Sequence, residues 1–297
     1  MPVRSIVGDT KVATVLVAAD GSGSTTDIQE GINSLPSSGG VVYIKEGTYR
    51  IDEGIVVPSN VSLIGSGPAT IVYLNDGAND HAIKCVGVSN VLISSLSVDG
   101  NGFGQTSTSH GIFFSGTTGS AVRGCRVSGC RDEGIYFDEN TTACSIEGCS
   151  VTDCSIGVIL FRADGNLLSG NTLSGNGTGL TVSQSNGVRI AGNFIRLNRL
   201  NGMNFSLSER CVLVGNEVLN NSQAFSGFAD GIKLSDTMHS VLVGNQAVST
   251  DGRQRYGINE ETGSDYNLIV GNLAMGNSSG QIIVNGANTV SANNLEA

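Results

Sequence analysis

At 297 residues, with 42 Gly, 4 Pro, no Trp and 14% charged residues, the chain is rich in strand and turn formers and poor in helix formers. A formal charge of -10 argues against a nucleic-acid partner, whose phosphates need clustered Lys and Arg, and no stretch approaches the ~20 apolar residues that cross a bilayer. An all-β protein with neither a nucleic-acid nor a membrane partner is expected.

The first apolar run, "VATVLVAADG" from Val12, is short and β-branched and reads as a strand rather than as the core of an export signal. Next, "TDIQEGINSLP" predicts a short amphipathic helix. Thr26 and Gln29 form a capping box, Ile28, Ile32 and Leu35 share one face, and Pro36 follows the end. Two coil starts, "GIVV" at Gly54 and "AIKC" at Ala82, lead into a regular region.

From Gly111 onward a tetrapeptide recurs: "GIFF", "GIYF" at Gly134, "GVIL" at Gly157, "GLTV" at Gly179, "GMNF" at Gly202, "GIKL" at Gly231 and "GINE" at Gly257. The intervals run from 22 to 29 residues, and a second marker keeps step with the first. It is "RGC", "EGC", "SGN", "AGN" and then "VGN" three times, its Asn residues being Asn171, Asn193, Asn216, Asn245 and Asn272. Two markers in register, with short alternating apolar runs between them, give the length of one coil of a parallel β-solenoid. About ten coils of 22–29 residues would stack over positions 41–285, with strand and helix in 1–40, a tail in 286–297, and one domain in all.

Stacking sets equivalent residues ~4.8 Å apart, so each marker Asn can donate its amide to the next. A second ladder is expected at Asn176, Asn198, Asn221 and Asn277. Cys125, Cys130, Cys149 and Cys154 occupy the same two places in the preceding coils and read as buried ladder residues rather than as metal ligands or disulfides. The helix would cover the open N-terminal end, while the tail "QIIVNGANTVSANNLEA" carries no equivalent cap. Either it folds over the other end or another subunit does, so a trimer or an end-to-end stack is an open expectation.

The stretch "AADGSGSTTDIQEGINSLPSSGGVVYIKEGTYRI", followed by "PSNVSLIGSG", resembles the N-terminal signature of the pectate-lyase-like right-handed parallel β-helix superfamily. The coils after Gly111 are similar to its carbohydrate-binding and sugar-hydrolase repeats. The resemblance implies a single-stranded right-handed parallel β-helix and a polysaccharide partner, met outside the cell or on a virion. It does not select an activity, because the superfamily also holds adhesive and structural proteins. The Trp-containing motif of pectate lyases, the Asp-Asp and Gly-His-Gly motifs of polygalacturonases and the Asp-Pro-His of alginate epimerases are all missing. Lys233 in "DGIKLSD" stands where a polygalacturonase would have an acid.

Alternation places the residue before each Gly, and the third and fifth of each tetrapeptide run, on the outer face. Two outward patches result. One joins His110, Glu133, Tyr136 and Asp138; the other joins Asp230, Lys233, Tyr256 and Glu261. Each reads either as solvated surface or as a ligand-facing group. Long insertions before Gly231 and Gly257 favour the second patch, since they carry Phe225, Phe228, Arg253 and Arg255 for stacking on a sugar and pairing with its carboxylate. Elimination or epimerisation of a uronic acid needs a cation, a base and an acid. Lys233 or Arg255 could be the cation and Tyr256 the base or acid, while Asp230 and Glu261 could instead hold calcium. Glu260 falls at an inward place, so the strand is expected to end or bulge after Asn259 and turn it outward. The competing expectation is a non-catalytic solenoid from a tail fibre, filament or adhesin.

Overall fold

The computed structural model describes residues 13–297. The part of the expected N-terminal segment that falls in residues 1–12, Val12 included, lies outside them. Three parallel sheets of 12, 11 and 10 strands are built as the chain passes from one to the next and returns one rung further on. The result is a right-handed parallel β-helix of about 12 turns.

The count exceeds the expected ten at both ends. Thr14–Val17 starts the first sheet, and the residues expected as a tail supply Val290–Ala292 and Leu295–Glu296, which close one more turn. No helix among the described residues is long and apolar enough to cross a membrane.

The two sequence markers have different physical causes. At the tetrapeptide Gly, successive coils approach too closely for a side chain. A Cβ on Gly179 would lie 2.6 Å from the Gly202 carbonyl oxygen and 2.6 Å from Ile195. In the second marker Gly turns the chain through left-handed backbone, as at Gly192 (φ +60) and Gly215 (φ +60).

Inward residues then stack in columns. One runs Phe114, Phe137, Leu160, Val182, Phe205, Leu234, all fully buried, with the first two rings stacked at 4.9 Å. Both Asn ladders form. Nδ2 of Asn171, Asn193, Asn216 and Asn245 each donates to Oδ1 of the next Asn at 2.8–3.0 Å. In the second ladder Gln254 supplies the rung between Asn221 and Asn277. All seven Cys are free and buried.

The cap helix spans Ile28–Asn33 and buries Ile28 and Ile32, with Leu35 just beyond. Its cap differs from the expected box: Asp27 is the N-cap, accepting from the Glu30 N–H at 2.8 Å. Gln29 instead reaches across to Val56, giving and taking one bond with its backbone.

Glu260 also departs from expectation. It ends strand Tyr256–Glu260 without a bulge, continues the column after Leu234, and is fully buried. The cost of burying a carboxylate is met by three donors. Asn267 Nδ2 lies at 2.8 Å, Thr289 Oγ1 at 2.6 Å and the Gly286 N–H at 3.0 Å. Glu260 therefore fastens the last turn to the one before. Glu260→Ala should cost roughly 2–4 kcal/mol by stranding these donors, whereas Glu261→Ala at the surface should cost about 1 kcal/mol or less. Urea midpoints of the two variants check the contrast.

Candidate functional site

The outer face of the 10-stranded sheet carries a continuous register: Lys84, Phe113, Tyr136, Ile159, Thr181, Asn204, Lys233, Asn259. The expected outward order of the tetrapeptide thus holds along the rod. Three members of the predicted outer face are nevertheless buried: His110, Asp230 and Asn259.

The first patch is a connected cluster. His110 Nδ1 lies 2.7 Å from Glu133 Oε2. That short contact makes Nδ1 the donor to the carboxylate, in preference to the 3.4 Å approach of the Glu133 backbone N–H to the same nitrogen. Glu133 keeps part of its side chain at the surface. The His110 ring meets Tyr136 edge-on at 5.0 Å, and the Tyr136 hydroxyl donates to Asp138 at 3.0 Å. Burial first, then the bond to Asp138, raise the Tyr136 pKa, so the phenol holds its proton at neutral pH.

Sequence reading missed His81. Its ring stacks on His110 at 4.4 Å and lies tilted against Phe113 at 4.5 Å. The signal was available, because His81 precedes Ala82 just as His110 precedes Gly111 and Glu133 precedes Gly134. His81 Nδ1 accepts from the His110 backbone N–H at 3.2 Å. In the turn just before Glu133, the exposed Arg131 donates from Nη1 to the Gln105 carbonyl in the loop that leads to His110. Among the described residues no carboxylate lies within ion-pair distance of Arg131.

Burial, then the facing His110, push the His81 pKa from 6.5 down to about 4. The folded protein therefore binds fewer protons here than the unfolded chain between those values. Its contribution is fully present above about pH 6.5 and is lost as pH falls toward 4. Substituting His81→Gln should flatten that limb of the stability profile, which urea titrations from about pH 7 to about pH 4 would read.

The second patch is organised by ion pairs. Asp230, expected outward, is fully buried and receives Arg255 Nε at 2.8 Å, Arg255 Nη2 at 2.7 Å and Asn259 Nδ2 at 2.9 Å. Its hydrogen bonds are the main reason the Arg255 pKa is raised. Arg255 also lies over the Tyr256 ring at 4.8 Å. Lys233 pairs with Glu261 at 3.0 Å, and Ser235 donates to the other Glu261 oxygen at 2.7 Å. Burial would raise the Glu261 pKa, but the bonds from Ser235 and Lys233 outweigh it and hold it below its usual value.

The two acids proposed for calcium thus each have a protein cation. Arg253 turns back onto the Gln223 carbonyl at 2.8 Å and joins the two inserted loops. Phe225 and Phe228 are exposed on the first of these loops, with their rings 5.8 Å apart. A shallow cleft of about 410 Å³ is lined by Arg255, Tyr256, Asn259, Glu261 and Asn285, among others.

A family model described as periplasmic copper-binding protein NosD matches residues 43–227 and 90–297. The chain belongs to the NosD family. The described residues of this NosD-family chain do not fit a bound copper ion: no three His, Cys, Asp or Glu among them converge. Its thiols lie in the core, and His81 and His110 stack face to face. The chain is 35% identical over 128 residues to a probable pectinesterase/pectinesterase inhibitor of Arabidopsis thaliana, covering 39% of this chain and 21% of that protein. It is 30% identical over 121 residues to the pre-neck appendage protein of Bacillus phage phi29, covering 38% of this chain and 14% of that one. It therefore spans about a fifth or less of these relatives. Among solved structures, the A-module of Azotobacter vinelandii mannuronan C-5 epimerase AlgE6 superposes with a TM-score of 0.59 at 19% identity, over 91% of this chain and 94% of that one. At that identity the likeness is one of fold.

Proposed function

We propose that the protein acts on an acidic polysaccharide, removing the proton beside a uronic-acid carboxylate at the first patch, with β-elimination or C5-epimerisation as the outcome. The observation that carries this reading is the Glu133–His110 pair, 2.7 Å apart, beside the Tyr136 phenol on one outward face. Glu133 Oε2 is engaged by His110, and Oε1 serves as the proton acceptor. The imidazole orients the carboxylate through its Nδ1–H. Arg131, without a carboxylate partner among the described residues, supplies the cation that lowers the charge cost of the carbanion. His81 and Phe113 offer ring faces to the sugar.

In elimination the C5–H bond breaks toward Glu133, its electron pair forms the C4–C5 double bond, and the C4–O bond breaks as Tyr136 protonates the departing oxygen. In epimerisation Tyr136 returns a proton to the opposite face of C5. Water then takes the proton from Glu133 and returns one to the phenolate. Lys233, Tyr256, Arg255 and Glu261 belong on this reading to substrate binding rather than to proton transfer, because the charges of Lys233, Arg255 and Glu261 are already paired.

The partial match to a probable pectinesterase/pectinesterase inhibitor supports a polysaccharide ligand, and the match to a phage appendage protein supports a place on a virion. A second reading, a non-catalytic solenoid, has its support in the phage appendage match and the unbroken Asn ladders. Proton NMR of a polyuronate panel incubated with the protein tests between them. Alkenic protons or loss of the C5 proton signal in deuterated water are expected with at least one polyuronate and with no neutral glycan. No reaction with any polyuronate would overturn the catalytic reading in favour of the second.

A further inference from the structure

The buried Asp230 has one evident effect on the outer surface. It takes the Nε and Nη2 edge of the Arg255 fork at 2.8 and 2.7 Å, while Tyr256 holds the guanidinium plane from one side. A guanidinium has five N–H donors, so Nη1 and the second Nη2 hydrogen remain at the cleft wall. Asn259 is held to the same Asp230 oxygen, so two cleft residues share one buried anchor. The nearby acid, Glu261, does not compete for Arg255, since Lys233 and Ser235 occupy both its oxygens. A cation held rigid by a buried carboxylate, with a free donor edge, is arranged for a planar anion.

Its place along the rod is equally specific. From Tyr136 the outward register steps through Ile159, Thr181, Asn204 and Lys233 to Asn259, five rungs of ~4.8 Å or roughly 24 Å. Between the two patches the floor begins with Ile159 and Phe161, over whose ring the Arg162 guanidinium lies at 4.9 Å, and continues with Thr181 and Asn204, flanked by Ser183 and Ser206, which bond to each other at 3.0 Å. Its hydroxyls and amide suit sugar hydroxyls, and the Arg162 charge at its edge is already paired with Glu139. The exposed pair Phe225 and Phe228 stands on the loop that enters the strand before the cleft.

We infer that Arg255, positioned by Asp230, forms a distal subsite for the carboxylate of an acidic glycan that lies along the rod axis from the Glu133–Tyr136 centre. The inference rests on the acidic-glycan reading above and adds the direction and minimum length of the ligand. A chain must cover the roughly 24 Å of five rungs to engage both patches.

The test is calorimetric titration of the full chain with hexameric uronates of galacturonic, mannuronic, guluronic and glucuronic acid, each against its carboxyl-reduced neutral counterpart and the monomer. Wild type should bind at least one acidic hexamer about tenfold or more tighter than both controls. Because Arg255→Met alone would strand a buried carboxylate and could unfold the coil, the informative variant is the uncharged pair Asp230→Leu with Arg255→Met. It should lose the preference for the acidic over the neutral hexamer while keeping affinity for the neutral one. Arg255→Lys, which keeps the charge but not the fork, should lose most of the preference too.

Retention of the full preference by the double variant, or no acidic hexamer bound by wild type, would overturn the inference. Affinity is read by calorimetry and reaction by NMR, so the outcomes separate. An Arg255-dependent preference with no reaction removes only the proton-transfer centre, and reaction without that preference removes only the distal subsite.

Discussion

Asn216→Leu should be among the most destabilising single changes in the rod, at roughly 3–6 kcal/mol, although it places a larger apolar side chain in the interior. Asn216 is 1% exposed and mediates five bonds. Its Nδ2 donates to the Ile190 carbonyl at 2.9 Å and to Asn245 Oδ1 at 2.8 Å, its backbone N–H donates to the same oxygen at 3.0 Å, and its Oδ1 accepts from the backbone N–H and Nδ2 of Asn193, both at 3.0 Å. Leucine would leave the Asn193 N–H buried without a partner, at ~1–3 kcal/mol, would take from the Ile190 carbonyl the second of its donors, and would break the amide chain. Asn216→Cys should cost less. Cys149 holds the equivalent place two rungs before Asn193, and its Sγ reaches the Val122 carbonyl at 3.5 Å, the bond that Asn171 makes to Ile146 one rung later. Urea midpoints for the two variants, with Cys falling between wild type and Leu, would check the order.

Tyr136→Phe should lower product formation by about 10²–10³-fold while leaving exchange of the C5 proton with solvent in place. The two effects separate because removal and return of the proton are assigned to different groups. The phenyl ring left by this substitution would keep the ring contacts with His110 at 5.0 Å and Phe113 at 5.5 Å and lose only the hydroxyl that Asp138 orients. Deuterium appearing at C5 without alkenic product or inverted sugar is the expected signature. Equal loss of exchange and product would instead make Tyr136 the proton acceptor.

The architecture was legible because stacking repeats the same local demand at every rung. Gly where coils touch and Asn where the turn must be bridged recur at fixed intervals, and both left their mark on the sequence. What alternation could not convey is depth. It assigned His110, Asp230 and Asn259 to the outer face, yet a neighbouring loop or a partner on the next rung covers each of them. Asp230 is covered because Arg255, 25 residues later, folds over it. Glu260 was misplaced for the reverse reason. Its three donors come from residues 7 to 29 positions further on, two of them, Gly286 and Thr289, in a last turn that looked like an irregular tail, so the burial seemed unpaired. His81 escaped notice because its coil begins with Ala82 where the others have Gly, although its column is the same.

The most direct test of the proton-transfer centre compares wild type with Glu133→Gln in deuterated water on a polyuronate that wild type binds, reading deuterium at C5 by NMR alongside affinity by calorimetry. The substituted amide keeps the shape and an oxygen for the His110 N–H but cannot accept a proton. The account predicts C5 exchange in wild type, its loss by about 10²–10⁴-fold in the variant, and affinity unchanged within about threefold. Exchange in Glu133→Gln at the wild-type rate would contradict it.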